Sequence, residues 1–352
     1  MTLDDTQAYR RLDREGMGAL IEGLPAQCRA AWEQALTFPL PHEYRGARRI
    51  VVAGMGGSAI GGDLAADLQA FDGYAPVSVH RDYGLPPLVD QDTLVIASSY
   101  SGHTEETLSS AEEAWARGAR VLAMTTGGKL ARRCQDRGTA VFPVPLKGPP
   151  RTALGYSLFP LLAFLQRLGV ARDRAPDVGE AIAEMERLAG GLHPLAATAG
   201  NPAKALAERI GERAVVTLGA QHLTSVARRW KCQIAENSKA WAFWEALPEA
   251  HHNAIEAMGE QSVNRDGFFV VLLRGDAYSP RMARRSDLTA EALERAGIPH
   301  QVVSAAGESA LAQMMTAVLM GDWVSYYLAL LRGVDPTALP IIDWLKERMA
   351  EG

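Results

Sequence analysis

The sequence predicts an α/β protein made of two doubly wound domains, each a parallel sheet flanked by helices. Three observations carry that reading. From about residue 48, short continuous apolar runs alternate with longer amphipathic stretches, the pattern of strands buried on both faces and covered by helices. The alternation starts afresh near residue 212. The chain has 352 residues, which is room for about two domains, each with its own core.

Residues 1–45 read as an N-terminal helical region with apolar positions at Leu20, Ile21, Leu24, Ala31, Trp32 and Leu36. The first domain spans 46–168. Its strands are expected at 48–53, 76–80, 93–97, 119–124 and 139–144, with helices at 59–70, 104–117 and 128–137. Gly118, Gly138 and the Thr125-Thr126-Gly127-Gly128 turn punctuate these units. The proline-rich stretch from Pro143 to Pro150 leaves the sheet, and a helix over 152–168 follows. Residues 169–200 read as a helical linker broken at Pro176 and Pro194. The second domain spans 201–352, with strands at 214–218, 268–273 and 300–304 and helices near 222–235, 280–296 and 309–331. Between Ser309 and Leu331 the only charge is Asp322. A membrane span would put that aspartate near the bilayer centre at roughly 2.5–3.5 kcal/mol, so a buried core helix is the better reading. Trp230, Trp241 and Trp244 are expected in the core.

Two small-residue loops stand out. One follows Arg49–Ala53 as Gly54-Met55-Gly56-Gly57-Ser58, and the other follows Thr93–Ala97 as Ser98-Ser99-Tyr100-Ser101-Gly102-His103-Thr104. Each reads as strand, hydroxyl-bearing turn, helix start. Side by side they would offer backbone N–H groups, hydroxyls and two helix N-termini to one anion. Neither loop carries Lys or Arg, so a phosphate would be held by oriented neutral donors, with His103 close enough in sequence to help. Two other readings stay open at this point. The glycines fit a weak dinucleotide fingerprint with Asp82 as its ribose carboxylate, and the serines could merely cap helices. The second half has only a degenerate counterpart, Leu218-Gly219-Ala220-Gln221, so one phosphate site per chain is expected.

Composition excludes some classes. Hydrophobic residues at 47% and charged residues at 22% are those of an ordinary globular chain. The net charge is −5 and no basic block is present, which argues against a nucleic-acid partner. Cys28, Cys134 and Cys232 form no C-x-x-C pair, and the acidic N-terminus has no apolar leader core, so a cytoplasmic protein with no membrane association is expected.

With these residues in view, the chain resembles the bifunctional phosphoglucose/phosphomannose isomerases of the sugar-isomerase (SIS) superfamily. The resemblance rests on Gly56-Gly57-Ser58, the run Ser99-Tyr100-Ser101-Gly102-x-Thr104-x-Glu106-Thr107, Arg228-Arg229-Trp230-Lys231 and Glu236-Asn237-Ser238-Lys239. It continues with Pro248-Glu249-x-x-His252-Asn253, Leu331-Arg332-Gly333-Val334-Asp335-Pro336 and Ile342-x-x-Leu345-Lys346. It implies an aldose–ketose isomerase acting on glucose 6-phosphate and mannose 6-phosphate, in a homodimer. By the same resemblance Glu236 is the general base and Arg151 flanks the enediolate. His252, donated across the dimer interface, and Lys346 act at the ring oxygen. Gly57, Ser58, Ser99, Ser101 and Thr104 hold the phosphate.

The chemistry asks for such groups. Moving a carbonyl between C1 and C2 requires a base that takes a carbon-bound proton and returns it to the neighbouring carbon. A fixed guanidinium stabilises the negative enediolate more than the neutral ground state. Ring opening needs a proton at the ring oxygen. No metal or redox cofactor is required. Plainer roles exist for each residue: Glu236 could pair with Lys231 or Lys239, Arg151 could cap the domain boundary, and Lys346 could be a solvated helix lysine. His251 and His252 could be metal ligands, with Glu256 as the one spaced third donor. Many relatives have a Glu and a Trp where this chain has Ala254 and Met258, which bears on efficiency and sugar preference. The competing functions are a non-catalytic sugar-phosphate sensor and an amino-sugar enzyme. The first would usually bring a DNA-binding appendage and the second an ammonia source, and the sequence displays neither.

Overall fold

The computed structural model describes residues 2–351. The chain opens with α1 (Thr6–Leu12), α2 (Met17–Glu22) and α3 (Leu24–Thr37). It then alternates through β1 (Arg49–Ala53), α4 (Gly56–Asp72), β2 (Val77–His80), β3 (Thr93–Ser98), α5 (Glu105–Ala116), β4 (Arg120–Thr125), α6 (Gly128–Asp136) and β5 (Ala140–Pro143). Helices α7 (Leu154–Arg167), α8 (Ala175–Leu192) and α9 (Pro202–Ile210) lead to the second set. That set is β6 (Ala214–Ala220), α10 (Thr224–Ser238), β7 (Ala242–Leu247), β8 (Phe268–Arg274), α11 (Pro280–Arg295), β9 (His300–Ser304), α12 (Ala310–Leu331) and α13 (Pro340–Ala350).

Both sheets are wholly parallel, in the orders β2-β1-β3-β4-β5 and β7-β6-β8-β9. In each, the chain steps first to one side and then to the other, so right-handed crossovers put successive helices on opposite faces. The alternation of β1 shows this directly. Ile50 and Val52 face the large core shared with α4, α7 and the second sheet. Val51 and Ala53 face a smaller core closed by Leu108 and Ala111 of α5 and Leu130 of α6. Ala53 lies opposite both His80 and Ala97, so the loops after β1 and β3 leave the sheet side by side, where the strand order reverses.

The expected α/β architecture with two parallel sheets is what forms. Helix α12 is the buried core helix expected of it, and Asp322 is 4% exposed. Its Gly321 is required: a Cβ there would stand 2.3 Å from the indole nitrogen of Trp230. That nitrogen donates to the Ala317 carbonyl at 2.9 Å.

Three expectations need correction. Pro176 does not break a helix; it occupies the first turn of α8, where a missing N–H costs nothing. An unanticipated strand, β7, forms the edge of the second sheet, because Ala242–Leu247 carries a glutamate and no continuous apolar run. Trp241 is not core: it is 79% exposed and stacks on Phe243 beside that edge, while Trp230 is buried and Trp244 half-buried.

Candidate active site

The N-termini of α4 and α5 meet at the carboxyl ends of β1 and β3. Neither helix has a side-chain cap, although hydroxyls crowd both turns. Met55 and Thr104 stand at the cap positions, and neither side chain accepts from a helix N–H. Ser58 N bonds back to the Met55 carbonyl, and the other first-turn N–H groups take no side-chain cap and are left for another acceptor, which removes capping as the reason for the serines. Instead the hydroxyls tie the two loops together. Ser98 Oγ donates to the Ser58 carbonyl at 3.0 Å, and Ser58 Oγ accepts from Tyr100 N at 3.0 Å. Ser99 Oγ donates to Thr104 Oγ1 at 2.9 Å and accepts from Gly102 N at 3.1 Å. Ser101 Oγ accepts from His103 N at 3.2 Å and is exposed. Gly57, Ser58 and Thr104 are half-buried at the same rim. A small pocket beside them is lined by Gly57, Ser58, Tyr100, Pro150 and Tyr156.

The first loop abuts the short helical turn Pro150–Thr152. A Cβ at Gly57 would stand 2.7 Å from the Pro150 carbonyl carbon and 2.9 Å from Arg151 N, so only glycine permits this approach. The turn aims Arg151 away from its own backbone and toward the second half. Its Nε donates to Asn237 Oδ1 at 2.7 Å, and its Nη2 donates to the carbonyls of Pro336 and Thr337 at 2.7 and 2.9 Å. Nη1 is buried, makes no hydrogen bond, and lies 3.5 Å from Glu236 Oε2. Burial lowers the Arg151 pKa, and Glu236 opposes that shift.

Glu236 sits in the last turn of α10, partly open to solvent. Lys239 ends this helix in a left-handed conformation, and its Nζ donates to the carbonyls of Glu236, Asn237 and Asp335. Burial, and then the Arg151 charge, lower its pKa to about 8. Arg151 and Lys239 together bind the end of α10 to the 335–337 segment.

A buried brace lies beneath. Arg229 Nη2 pairs with Asp322 Oδ2 at 2.7 Å and also donates to the Arg151 carbonyl at 3.2 Å, while Gln233 Nε2 donates to Asp322 Oδ1 at 2.9 Å. Asn237 Nδ2 donates to Ser325 Oγ at 2.9 Å. The face of α10 that points inward is therefore polar and largely hydrogen-bonded, with Arg229 Nε left without a partner. Helix α4 is joined to the start of α10 as well: Asp67 Oδ2 accepts from Ser225 N at 2.8 Å, and Asp63 pairs with Arg228 at 3.6 Å.

The single chain thus brings Gly57, Ser58, Ser99, Ser101 and Thr104 together, sets Arg151 against them, and sets Glu236 against Arg151. It does not bring in the other two predicted residues. His252, in the turn Glu249–His252, is exposed and makes no hydrogen bond or ion pair among the described residues. Lys346 on α13 is exposed, with Asp343 at 3.8 Å as its ion-pair partner. All of 341–349 is exposed, including Ile341, Trp344, Leu345 and Met349. His251 is no metal ligand in this arrangement, since both its ring nitrogens are engaged by Thr289 and Arg285.

The counterpart crevice in the second sheet is filled. His222 Nε2 meets Gln313 Oε1 at 2.9 Å, the Tyr278 ring lies edge-on to His222, and its hydroxyl accepts from Ala220 N. Burial lowers the His222 pKa to about 4, so the plug is neutral. Sequence reasoning had no role for Asn237, Asp322 or the 335–337 carbonyls, and it offered Lys239 only as an ion-pair partner of Glu236, whereas its Nζ donates to carbonyls. Three signals pointed to them: the Glu-Asn-Ser-Lys and Val-Asp-Pro motifs, and a lone charge in an otherwise uncharged helix.

Comparison with known proteins bears on the family and the fold. Residues 43–143 match the SIS domain family, and residues 199–349 match the bacterial phospho-glucose isomerase C-terminal SIS domain. A bifunctional phosphoglucose/phosphomannose isomerase of Caldicellulosiruptor bescii is 37% identical over 332 residues, 94% of this chain and 98% of that protein. One from Aquifex aeolicus is 38% identical over 321 residues, 90% of this chain and 94% of its own. The fold matches the crystal structure of a hypothetical protein from Thermus thermophilus with a TM-score of 0.75 at 18% identity, over 98% of this chain and 94% of that one.

Proposed function

The chain belongs to the bifunctional phosphoglucose/phosphomannose isomerase family, and from that premise we propose that it interconverts glucose 6-phosphate and mannose 6-phosphate with fructose 6-phosphate. The phosphate docks on the uncapped N-termini of α4 and α5, among Gly57, Ser58, Ser99, Ser101 and Thr104. This anchoring fixes where C1 and C2 of the opened sugar fall. Glu236 takes the proton from C2 of the aldose and returns it to C1. The negative enediolate formed between these steps lies against Arg151 Nη1 and is stabilised more than the neutral sugar. His252 supplies the proton that opens the ring, assisted by Lys346. The first domain holds the phosphate and the second supplies the acid–base groups, in a cytoplasmic homodimer whose partner brings His252. Support for the dimer comes from the exposure of His252 and of the apolar residues of α13 within one chain.

The observation that carries this reading is the buried Arg151 Nη1, which makes no hydrogen bond and lies 3.5 Å from Glu236, on a residue whose backbone abuts the Gly57 loop. The test is a coupled assay with each hexose 6-phosphate on the wild type and on Glu236→Gln. Turnover of both sugars, lost in Glu236→Gln with binding retained, is the expected result. Binding of both without turnover by the wild type would make the chain a sensor instead. Full activity in Glu236→Gln would remove it as the base.

A further inference from the structure

The histidine beside His252 has a complete and unambiguous set of hydrogen bonds. His251 Nδ1 lies 3.0 Å from Arg285 Nη1, and its Nε2 lies 2.8 Å from Thr289 Oγ1, both on α11. A guanidinium only donates, so Nδ1 must accept, and the ring is therefore the neutral tautomer with its proton on Nε2. Nε2–H then donates to the Thr289 hydroxyl. That hydroxyl donates in turn to the Arg285 carbonyl at 2.9 Å. No proton is left without a place. The far side of the turn is closed separately, with Asn253 Nδ2 donating to Glu249 Oε1 at 2.7 Å. Ala250 is buried beneath it, and His252 is left facing outward.

We propose that His251 is the positioning residue for His252: as a neutral imidazole wedged between Arg285 and Thr289 it clamps the 249–253 turn to α11 and fixes the direction in which His252 is presented. The inference rests on the reading of His252 as the ring-opening residue. The charged or titratable groups bearing on His251 are Arg285 from α11 and His252 on its own turn. Both would repel a second positive charge. Burial, then these two groups, hold its pKa below the free value. Protonation would take away the Nδ1 lone pair and set two cations in contact, so the clamp belongs to the neutral ring.

The experiment uses the full-length protein. The kinetics of fructose 6-phosphate conversion are compared between pH 6 and 8.5 in the wild type, His251→Phe, His251→Asn and His252→Ala. A long-range proton–nitrogen spectrum of histidine-labelled wild type accompanies them. In His251→Phe, kcat should fall about 10- to 100-fold with KM nearly unchanged. His251→Asn restores an acceptor toward Arg285 and should recover most of that loss. The spectrum should show one histidine with bare Nδ1 and protonated Nε2, still neutral near pH 6.5 where a free imidazole is half charged. A charged His251 there, or protonated on Nδ1, would overturn the clamp even if the phenylalanine variant fails to fold. So would wild-type kcat in His251→Phe while His252→Ala is inactive. Full activity in His252→Ala would instead overturn the role given to His252, and the clamp would have no catalytic purpose.

Discussion

Arg151 Nη1 and Glu236 Oε2 are 3.5 Å apart, and the guanidinium is held there by three hydrogen bonds that leave Nη1 alone without one. The pair joins the two halves of the molecule. Arg151 leaves a turn that abuts the first serine loop, and Glu236 closes a helix of the second half. A pair meant only for stability would draw the guanidinium fully onto the carboxylate. Here the fork is spent on Asn237 and two carbonyls, and Nη1 remains available for developing charge.

Arg151→Lys keeps the charge and loses the fork. A lysine ammonium cannot satisfy Asn237, Pro336 and Thr337 and still face Glu236. In steady-state assays kcat should fall about 10²–10³-fold, the range for a lost oxyanion donor, with a much smaller change in KM. An unchanged kcat would make Arg151 a structural strut only.

Gly57→Ala tests the close approach of the two loops. The new Cβ would meet backbone atoms of Pro150 at 2.7 Å, and backbone cannot swing aside as a side-chain tip can. The phosphate turn and the Arg151 turn must separate. A misplacement of that kind should lower kcat/KM by about 100-fold. Ser58→Ala adds no bulk and should act mainly on KM. If the two variants behave alike, the loss comes from phosphate binding and not from alignment.

Asp322→Asn tests the brace under α10. Asp322 and Arg229 are almost fully buried, so removing one charge strands the other. Unfolding in urea should show about 3–5 kcal/mol of lost stability. A change below about 1 kcal/mol would mean that the amide oxygen left at 322 and the Arg151 carbonyl are enough to satisfy Arg229.

Much of this arrangement is legible in the sequence, and the parts that are not share a cause. The first sheet reads clearly because β1, β3 and β4 are continuous apolar runs between amphipathic helices. The loop cluster reads because strand, glycine and hydroxyl follow one another locally. Strand β7 does not read, because an edge strand has no need of a continuous apolar run, and Trp241 was assigned to the core for want of it. The setting of Arg151 does not read either: two of its partners are carbonyls 185 and 186 residues away, and a backbone carbonyl leaves no mark in sequence. His252 and Lys346 are exposed in this chain, and neither touches Glu236 or the serine loops.

Asp67 gives a pH prediction. Burial raises its carboxyl to about 7, against the pull of its hydrogen bonds from Ser225, with Asp63 nearby adding to the rise. A carboxyl raised above its unfolded value of about 3.9 favours the protonated fold. Its contribution is therefore complete below about pH 4 and is lost as pH climbs through about 7. Asp67→Asn keeps an oxygen for Ser225 N and never ionises. Relative to the wild type its stability should improve between pH 5 and 8 by on the order of 1–3 kcal/mol, read from denaturant midpoints at the two values. Equal differences at both would mean that Asp67 ionises as it would in water.

The proposed sharing of the site between subunits makes a quantitative prediction. Glu236→Gln and His252→Ala should each be inactive as homodimers. In a mixed dimer, one of the two sites takes Glu236 from the second variant and His252 from the first, and so recovers both groups. Random re-association makes half the dimers mixed, each with one working site, so activity should return to about a quarter of the wild-type value. Mixing the subunits by brief denaturation and confirming mixed dimers by mass makes the number meaningful. If confirmed mixed dimers stay inactive, Glu236 and His252 act within the same chain, and the turn at 249–253 must fold over its own active site.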